Sequence, residues 1–379
     1  MEQNACRSVC APSANGCLRC GPAGQTLDNG VLLIVPRDAD ADVTLSAAFA
    51  TAEWQTSRMG PLLVVHDVRL RLAELAAHLR ATLAPYTLSN ARAAYAGQSH
   101  HVGDLLASLA FAEPLDQLLG RLEHEWVRDL IAGDRLFSVF HPIIDVHHGD
   151  VFAQEALIRG IDPLTGKTIG AGPIIAASLA LDIEHQFDQR ARVCAIRDGA
   201  RVVPLDQKLF INFLPNTIYD PAVCLRTTIL AATEHGIDLS RLVFEVVESQ
   251  KIPDMKRLLA ILEYYRERGV GTAIDDMGAG FANLDYITQL RPDFVKLDRE
   301  FMLGAVANLE KWPEFVEVVR TSHEVGARVI AEGIETELQM VMCREAGVDF
   351  LQGFLFARPS ARPEKVTLPA GFHHGRMAA

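Results

Sequence analysis

Apolar runs of strand length alternate with helix-period stripes along most of this chain. Val31 to Val35 is a continuous apolar run stopped by Pro36, and Leu62 to Val65 is a second. Val68, Leu72, Leu75, Leu79 and Leu83 share one face at 3.6 residues per turn, which predicts a helix. Together these elements predict a small α/β module over residues 28–113. Pro114 then opens a connecting helix over 114–135. Leu115, Leu118, Leu119, Leu122, Trp126 and Leu130 lie on its apolar stripe, with Asp116, Arg121, Glu125 and Arg128 off it.

From residue 136 the spacing changes to repeated strand and helix periods. The strand candidates are Phe137 to Asp145, Val151 to Leu157, Leu209 to Leu214, Leu242 to Val247, Gly271 to Asp275, Phe294 to Leu297, Arg328 to Ala331 and Phe350 to Phe356. The first two are joined by His147-His148-Gly149-Asp150, too short for a crossover helix, so one of the pair must run antiparallel to its neighbour. Later links hold helical stripes, such as Leu258, Leu259, Leu262 and Tyr265. The expected fold is α/β, a TIM-like (β/α)8 barrel with one antiparallel strand over 136–362, followed by a flexible tail over 363–379.

A chain of 379 residues has room for such a barrel and a smaller companion, and its 49% hydrophobic content can fill both cores. The formal charge of -12, without any Lys/Arg run, argues against a nucleic-acid polymer as partner. No apolar stretch approaches the roughly 18 residues of a membrane span, and the polar start is unlike a secretory signal, so a cytoplasmic protein is expected. Residues 1–27 form a Cys-rich, loop-like head. Its Cys6-x3-Cys10-x6-Cys17-x2-Cys20 has the ligand count for tetrahedral Zn2+; a redox-switched dithiol pair or iron and sulfur chemistry are the alternatives. Cys194, Cys224 and Cys343 read as small core residues.

The candidate chemistry stands at the carboxyl ends of the barrel strands, where barrels carry their sites. Glu155 and Arg159 come from the second strand, Asn212 from the third, Glu245 and Glu248 from the fourth, and Asp275 and Asp276 from the fifth. Lys296 and Asp298, Glu332 and Glu335, and Gln352 complete the set. Glu155, Asn212, Glu245 and Asp275 offer oxygen donors for one divalent cation, and Asp275, Asp276 and Glu332 for a second. Lys296, between Val295 and Leu297, is suited to orient a water or hold a scissile phosphate, and Arg159 to grip phosphate oxygens. Asp298 is a substrate contact or the cap of a helix beginning near Arg299, and Glu335 a supporting group or a cap for the helix after Thr336.

Glu155-Ala156-Leu157-Ile158-Arg159 resembles the E-A-L-x-R signature of the EAL family of cyclic di-GMP phosphodiesterases. The resemblance covers about residues 120 to 362. It continues in order through Asn212 to Pro215, Glu245 to Glu248, Asp275 to Gly280, Lys296 to Asp298, Ala331 to Glu335 and Gln352 to Phe354. It implies hydrolysis of cyclic di-GMP to linear pGpG with two Mg2+ or Mn2+ ions, in a protein that commonly forms homodimers. Carried over, Glu155, Asn212, Glu245, Asp275, Asp276 and Glu332 would be metal ligands, Lys296 would hold the nucleophilic water, Gln352 would complete the site, and Glu248 would brace the loop after Asp276. Met277, Ala279 and His141 depart from the family's usual Phe, Thr and Gln, and none of these removes a ligand. A catalytically silent receptor or interaction module is the rival reading, and the same chemistry on another nucleotide a third.

Overall fold

The computed structural model describes residues 30–50, 54–68, 71–96, 102–162, 165–218, 220–247, 255–278, 284–363, 366–369 and 372. Cys6, Cys10, Cys17, Cys20 and Glu248 lie outside them. The described residues group into two compact units, one on residues 136–159 and 188–372, the other on residues 30–135 and 160–187.

The second unit holds a five-stranded antiparallel sheet of β1 (Val31–Pro36), β2 (Thr56–Met59), β3 (Leu62–Val65), β4 (Ala91–Ala96) and β5 (Glu113–Pro114), in the order β2-β3-β1-β4-β5. Leu32 and Ile34 of β1 pack with Leu45 and Phe49 of the helix Ala39–Ala50, and with Leu75 and Leu79 of the helix Leu72–Thr82. Three strands escaped the sequence pattern for physical reasons, the two-residue β5 being too short to show a period. All four residues of β2 are exposed, so no apolar alternation marks it. β4 reads Ala-Arg-Ala-Ala-Tyr-Ala, without the β-branched residues that signal a strand.

The connecting helix expected over 114–135 is two helices, Leu115–Leu122 and Trp126–Ala132. Between them the amides of His124, Glu125 and Val127 reach back three residues rather than four, tightening the turn and ending the first helix. Leu115, Leu118, Leu119 and Leu122 close the module's own core. Segment 160–187, which sequence position alone puts in the barrel, groups with this unit. A side chain at Gly160 would collide with Leu130, so glycine permits that close approach.

The barrel strands are β6 (Leu136–Asp145), β7 (Val151–Ile161), β9 (Lys208–Phe213), β10 (Leu242–Val247), β11 (Gly271–Met277), β12 (Phe294–Leu297), β13 (Arg328–Ala331) and β14 (Phe350–Leu351). The short β8 (Thr168–Ile169) is added to the end of β7. Pairing runs β6-β14-β13-β12-β11-β10-β9-β7, and β7 returns to β6, closing the ring. β6 is antiparallel to β14, while β7 and β9 to β14 run parallel, so the reversed strand is the first. Ile143, Ala153, Phe210, Val243, Ala273, Phe294, Ile330 and Phe350, one from each strand, form a buried inner layer. The Arg328 guanidinium lies 4.7 Å from the Phe294 ring, 4.9 Å from Phe152 and 5.0 Å from Phe350, at the amino end of β13.

The tail expected to be flexible is anchored at Phe372. Its ring is buried edge-on against Phe356, and its carbonyl accepts from Arg344 Nη1 at 2.9 Å, because leaving a Phe in water forfeits its burial energy. Among the described residues no helix is long and apolar enough to cross a membrane.

Candidate active site

Side chains alternate across a strand, so residues two apart face the same way. Two steps beyond the apolar inner layer, along each strand or its continuation, stand Glu155, Asn212, Glu245, Asp275, Lys296, Glu332 and Gln352. On β6, which runs the other way, the step is backwards and reaches His141. One apolar layer therefore serves as the floor of one polar layer.

Lys296 sits at the centre, its side chain fully buried. Its Nζ lies 2.6 Å from Glu332 Oε1, 3.0 Å from Glu245 Oε1, 3.0 Å from Asp275 Oδ1 and 3.6 Å from Glu155 Oε1. Asn212 Nδ2 donates to Glu155 Oε1 at 3.2 Å and to Glu245 Oε2 at 3.0 Å, and Gln352 Nε2 donates to Glu155 Oε2 at 2.9 Å. Despite these approaches, Lys296 Nζ and Glu245 Oε1 form no well-directed hydrogen bond among the described residues. Gly353 is required beside Gln352, since a side chain there would strike the backbone of Ile334.

β11 carries two adjacent acids into one site by breaking its register. Its pairing with β12 shifts between Ile274 and Met277, and Asp276 takes a left-handed backbone with φ of 56°. Such a conformation costs a non-glycine residue of order 1 kcal/mol, and an irregularity of this kind lets neighbouring side chains escape strict alternation. Asp275, Asp276 and Glu332 thus form one triad and Glu155, Glu245 and Asp275 another, each with ligand atoms within 4.8 Å of one another. Asp275 is common to both.

Four buried or largely buried carboxylates face a single ammonium. Burial pushes Glu245 well above the usual carboxylate range and raises Asp275, more than Lys296 can offset. Burial and the neighbouring Asp275 lift Asp276 to about 6, and burial lifts Glu332 to about 8 against the pull of Lys296. At Glu155 the burial penalty is outweighed by Lys296 and by the Gln352 and Asn212 amides, so its carboxyl stays below the ordinary value. Burial disfavours the Lys296 charge too, but Asp275, Glu155, Glu245 and Glu332 outweigh it and hold the ammonium protonated. An all-oxygen donor set with surplus buried negative charge fits hard divalent cations.

The remaining candidates stand apart. Arg159 is half-buried on β7, with Nη1 donating to the Ile158 carbonyl at 2.8 Å. Asp298 caps the helix Arg299–Ala307, accepting from the amides of Glu300 at 2.9 Å and Phe301 at 3.1 Å. Glu335 caps nothing: Thr336 and Gln339 form the capping box of the next helix, while Glu335 pairs with Arg299 at 3.2 Å on the surface. Cys194, Cys224 and Cys343 are buried, as core residues should be.

The EAL domain pattern matches residues 124–359, more than half of the chain. The chain belongs to the EAL domain family. A Pseudomonas aeruginosa relative, the cyclic di-GMP phosphodiesterase NbdA, is 28% identical over 240 residues, which are 62% of this chain and 30% of NbdA. The bifunctional diguanylate cyclase/cyclic di-GMP phosphodiesterase MucR of the same organism is 34% identical over 238 residues, 62% of this chain and 34% of MucR. The chain thus spans about a third of the length of these curated relatives. Among solved structures, a standalone EAL protein of Vibrio cholerae in its c-di-GMP bound form is 31% identical. It covers 61% of this chain and 95% of its own, with a TM-score of 0.56.

Proposed function

We propose that this EAL barrel is a phosphodiesterase that hydrolyses cyclic di-GMP to pGpG. The observation that carries the reading is the polar layer itself, which joins two oxygen triads through Asp275 around one buried lysine. Glu155, Asn212, Glu245 and Asp275 would hold one Mg2+ or Mn2+ ion, and Asp275, Asp276 and Glu332 a second. When bound, such a pair neutralises phosphate charge and makes water acidic enough to supply hydroxide at neutral pH. Lys296 orients the attacking water through its ammonium, and Gln352 and Asn212 fix the Glu155 carboxylate. Arg159 grips phosphate oxygens outside the layer. In the reaction an O–P bond forms from water, one ester P–O bond breaks, and the leaving ribose oxygen takes a proton.

We read the small α/β module over residues 28–113 as regulatory, since with Leu115, Leu118, Leu119 and Leu122 it has a core of its own. Zinc or redox chemistry at Cys6, Cys10, Cys17 and Cys20 rests on their spacing alone. A homodimer and a cytoplasmic setting are further parts of the reading, drawn from the family resemblance and from an intracellular nucleotide substrate. Pure protein incubated with cyclic di-GMP and Mg2+ should yield pGpG, and Glu155→Ala should abolish that product while leaving the fold intact. Binding of cyclic di-GMP without any turnover by the unaltered protein would instead make the barrel a receptor.

A further inference from the structure

Leu118, Arg121, Leu122, Glu125 and Arg128, on the helices Leu115–Leu122 and Trp126–Ala132 and the turn between them, line one wall of a cavity of about 480 Å3. They recur at the three- and four-residue intervals of a single helical face. Tyr95 of β4 and Leu181 add apolar wall, and every lining residue belongs to the same compact unit. The size suits a small organic ligand. Phe111, on the turn after the helix Val102–Leu109, stands at this cavity 86% exposed. A flat apolar body seated against that ring would recover the burial energy it forfeits in water.

The cavity also carries unused positive charge. Arg121 spends Nη2 on Glu113, and Arg128 holds Nε 3.2 Å from Glu125 Oε2. Among the described residues the other guanidinium nitrogens of both have no hydrogen-bond partner. Burial raises the Glu125 carboxyl above its ordinary value against the pull of Arg128, which weakens the neutralisation of that guanidinium. Two open guanidinium forks beside apolar walls complement a planar anion on an aromatic body. The same wall leads straight into catalytic strands. β6 begins just past the helix Trp126–Ala132. Leu130 of that helix closes on Gly160, and the Ile161 amide donates to the Arg135 carbonyl at 3.0 Å, at the end of the strand that carries Glu155 and Arg159.

We propose that this cavity binds a small aromatic carboxylate, which acts as an effector of the barrel. The binding stands apart from the barrel's chemistry, and only the effect on turnover rests on the phosphodiesterase reading. The probe is 1-naphthaleneacetate, dialysed to equilibrium against the full chain. It should bind saturably with a Kd of about 1 mM or below, while its uncharged amide and 1-naphthylmethylamine should bind about tenfold more weakly. Arg121→Gln and Phe111→Ala alter exposed side chains and should fold. Each should weaken the carboxylate about fivefold, and Arg121→Gln should leave the amide's affinity unchanged. Arg71→Gln, the same charge change elsewhere on this unit, should leave all three affinities unchanged. Absence of saturable binding, tighter binding of the amine, full affinity in either cavity variant, or an equal loss in Arg71→Gln overturns the site. At saturation the probe should change kcat for cyclic di-GMP in Mg2+ about threefold or more. Binding that leaves pGpG formation unaltered overturns the effector role. If the unaltered protein makes no pGpG, the phosphodiesterase reading fails and the effector role is read in Kd for cyclic di-GMP. If it does not bind cyclic di-GMP either, the effector role falls with that reading while the dialysis still decides the site.

Discussion

At the scale of the residue, surplus buried charge decides how the site behaves. Glu332, raised to about 8 from an ordinary 4.5, and Asp276, raised to about 6 from 3.8, hold protons in the metal-free fold that the unfolded chain has already released. The folded state then binds more protons than the unfolded one, so metal-free stability falls as pH rises from about 4.5 to about 8. A divalent cation must displace those protons. Mn2+ affinity should therefore climb between pH 6 and 8, and binding at pH 7 should release protons, read by calorimetry in two buffers of different ionisation enthalpy. Heat that does not depend on the buffer would contradict the assignment of Glu332 and Asp276. Most of this layer was legible in sequence because acids after apolar strands are costly without a partner. Asp298 was ambiguous there, since a cap and a substrate contact both want an Asp before a helix. The sequence marks His141 only as a departure from the family's usual Gln, and its inward phase shows only once β6 is known to be the reversed strand.

At the scale of the element, the helix Glu184–Val202 fixes the exit of β9. Asp188 accepts from the Leu214 amide at 2.9 Å and from the Thr217 hydroxyl at 2.8 Å, and it pairs with Arg192, which also bonds Thr228 Oγ1 at 3.1 Å. This pair is almost wholly buried and holds the turn just past Asn212. Asp188→Ala leaves the Arg192 charge buried without its partner, and should lower stability by about 3 to 5 kcal/mol in urea unfolding. A loss below about 1 kcal/mol would show that the network does not secure the turn. None of it was visible along the chain, because Asp188 and Arg192 look like an ordinary surface i,i+4 pair until tertiary packing covers them. The barrel strands were legible as apolar runs with β-branched residues. β4 was hidden by its alanines, and the break between Leu122 and Trp126 by an apolar stripe that continues in phase across it.

At the scale of the whole molecule, each unit has its own apolar core, and the polar layer belongs entirely to the barrel. Strand order, the reversed β6 and the eight-residue floor together bring groups from residue 141 to residue 352 onto one level. The fold was predictable because the period of two and the period of 3.6 alternate cleanly after residue 136. The anchoring of Phe372 was not, since a lone aromatic in a polar tail carries no period. The central claim is that this level seats two cations about a common carboxylate. Anomalous diffraction from crystals grown with Mn2+ tests it most directly. The account predicts two manganese peaks flanking Asp275, one toward Glu155 and Glu245 and the other toward Asp276 and Glu332; a single peak that avoids Asp275, or none in the barrel, would contradict it.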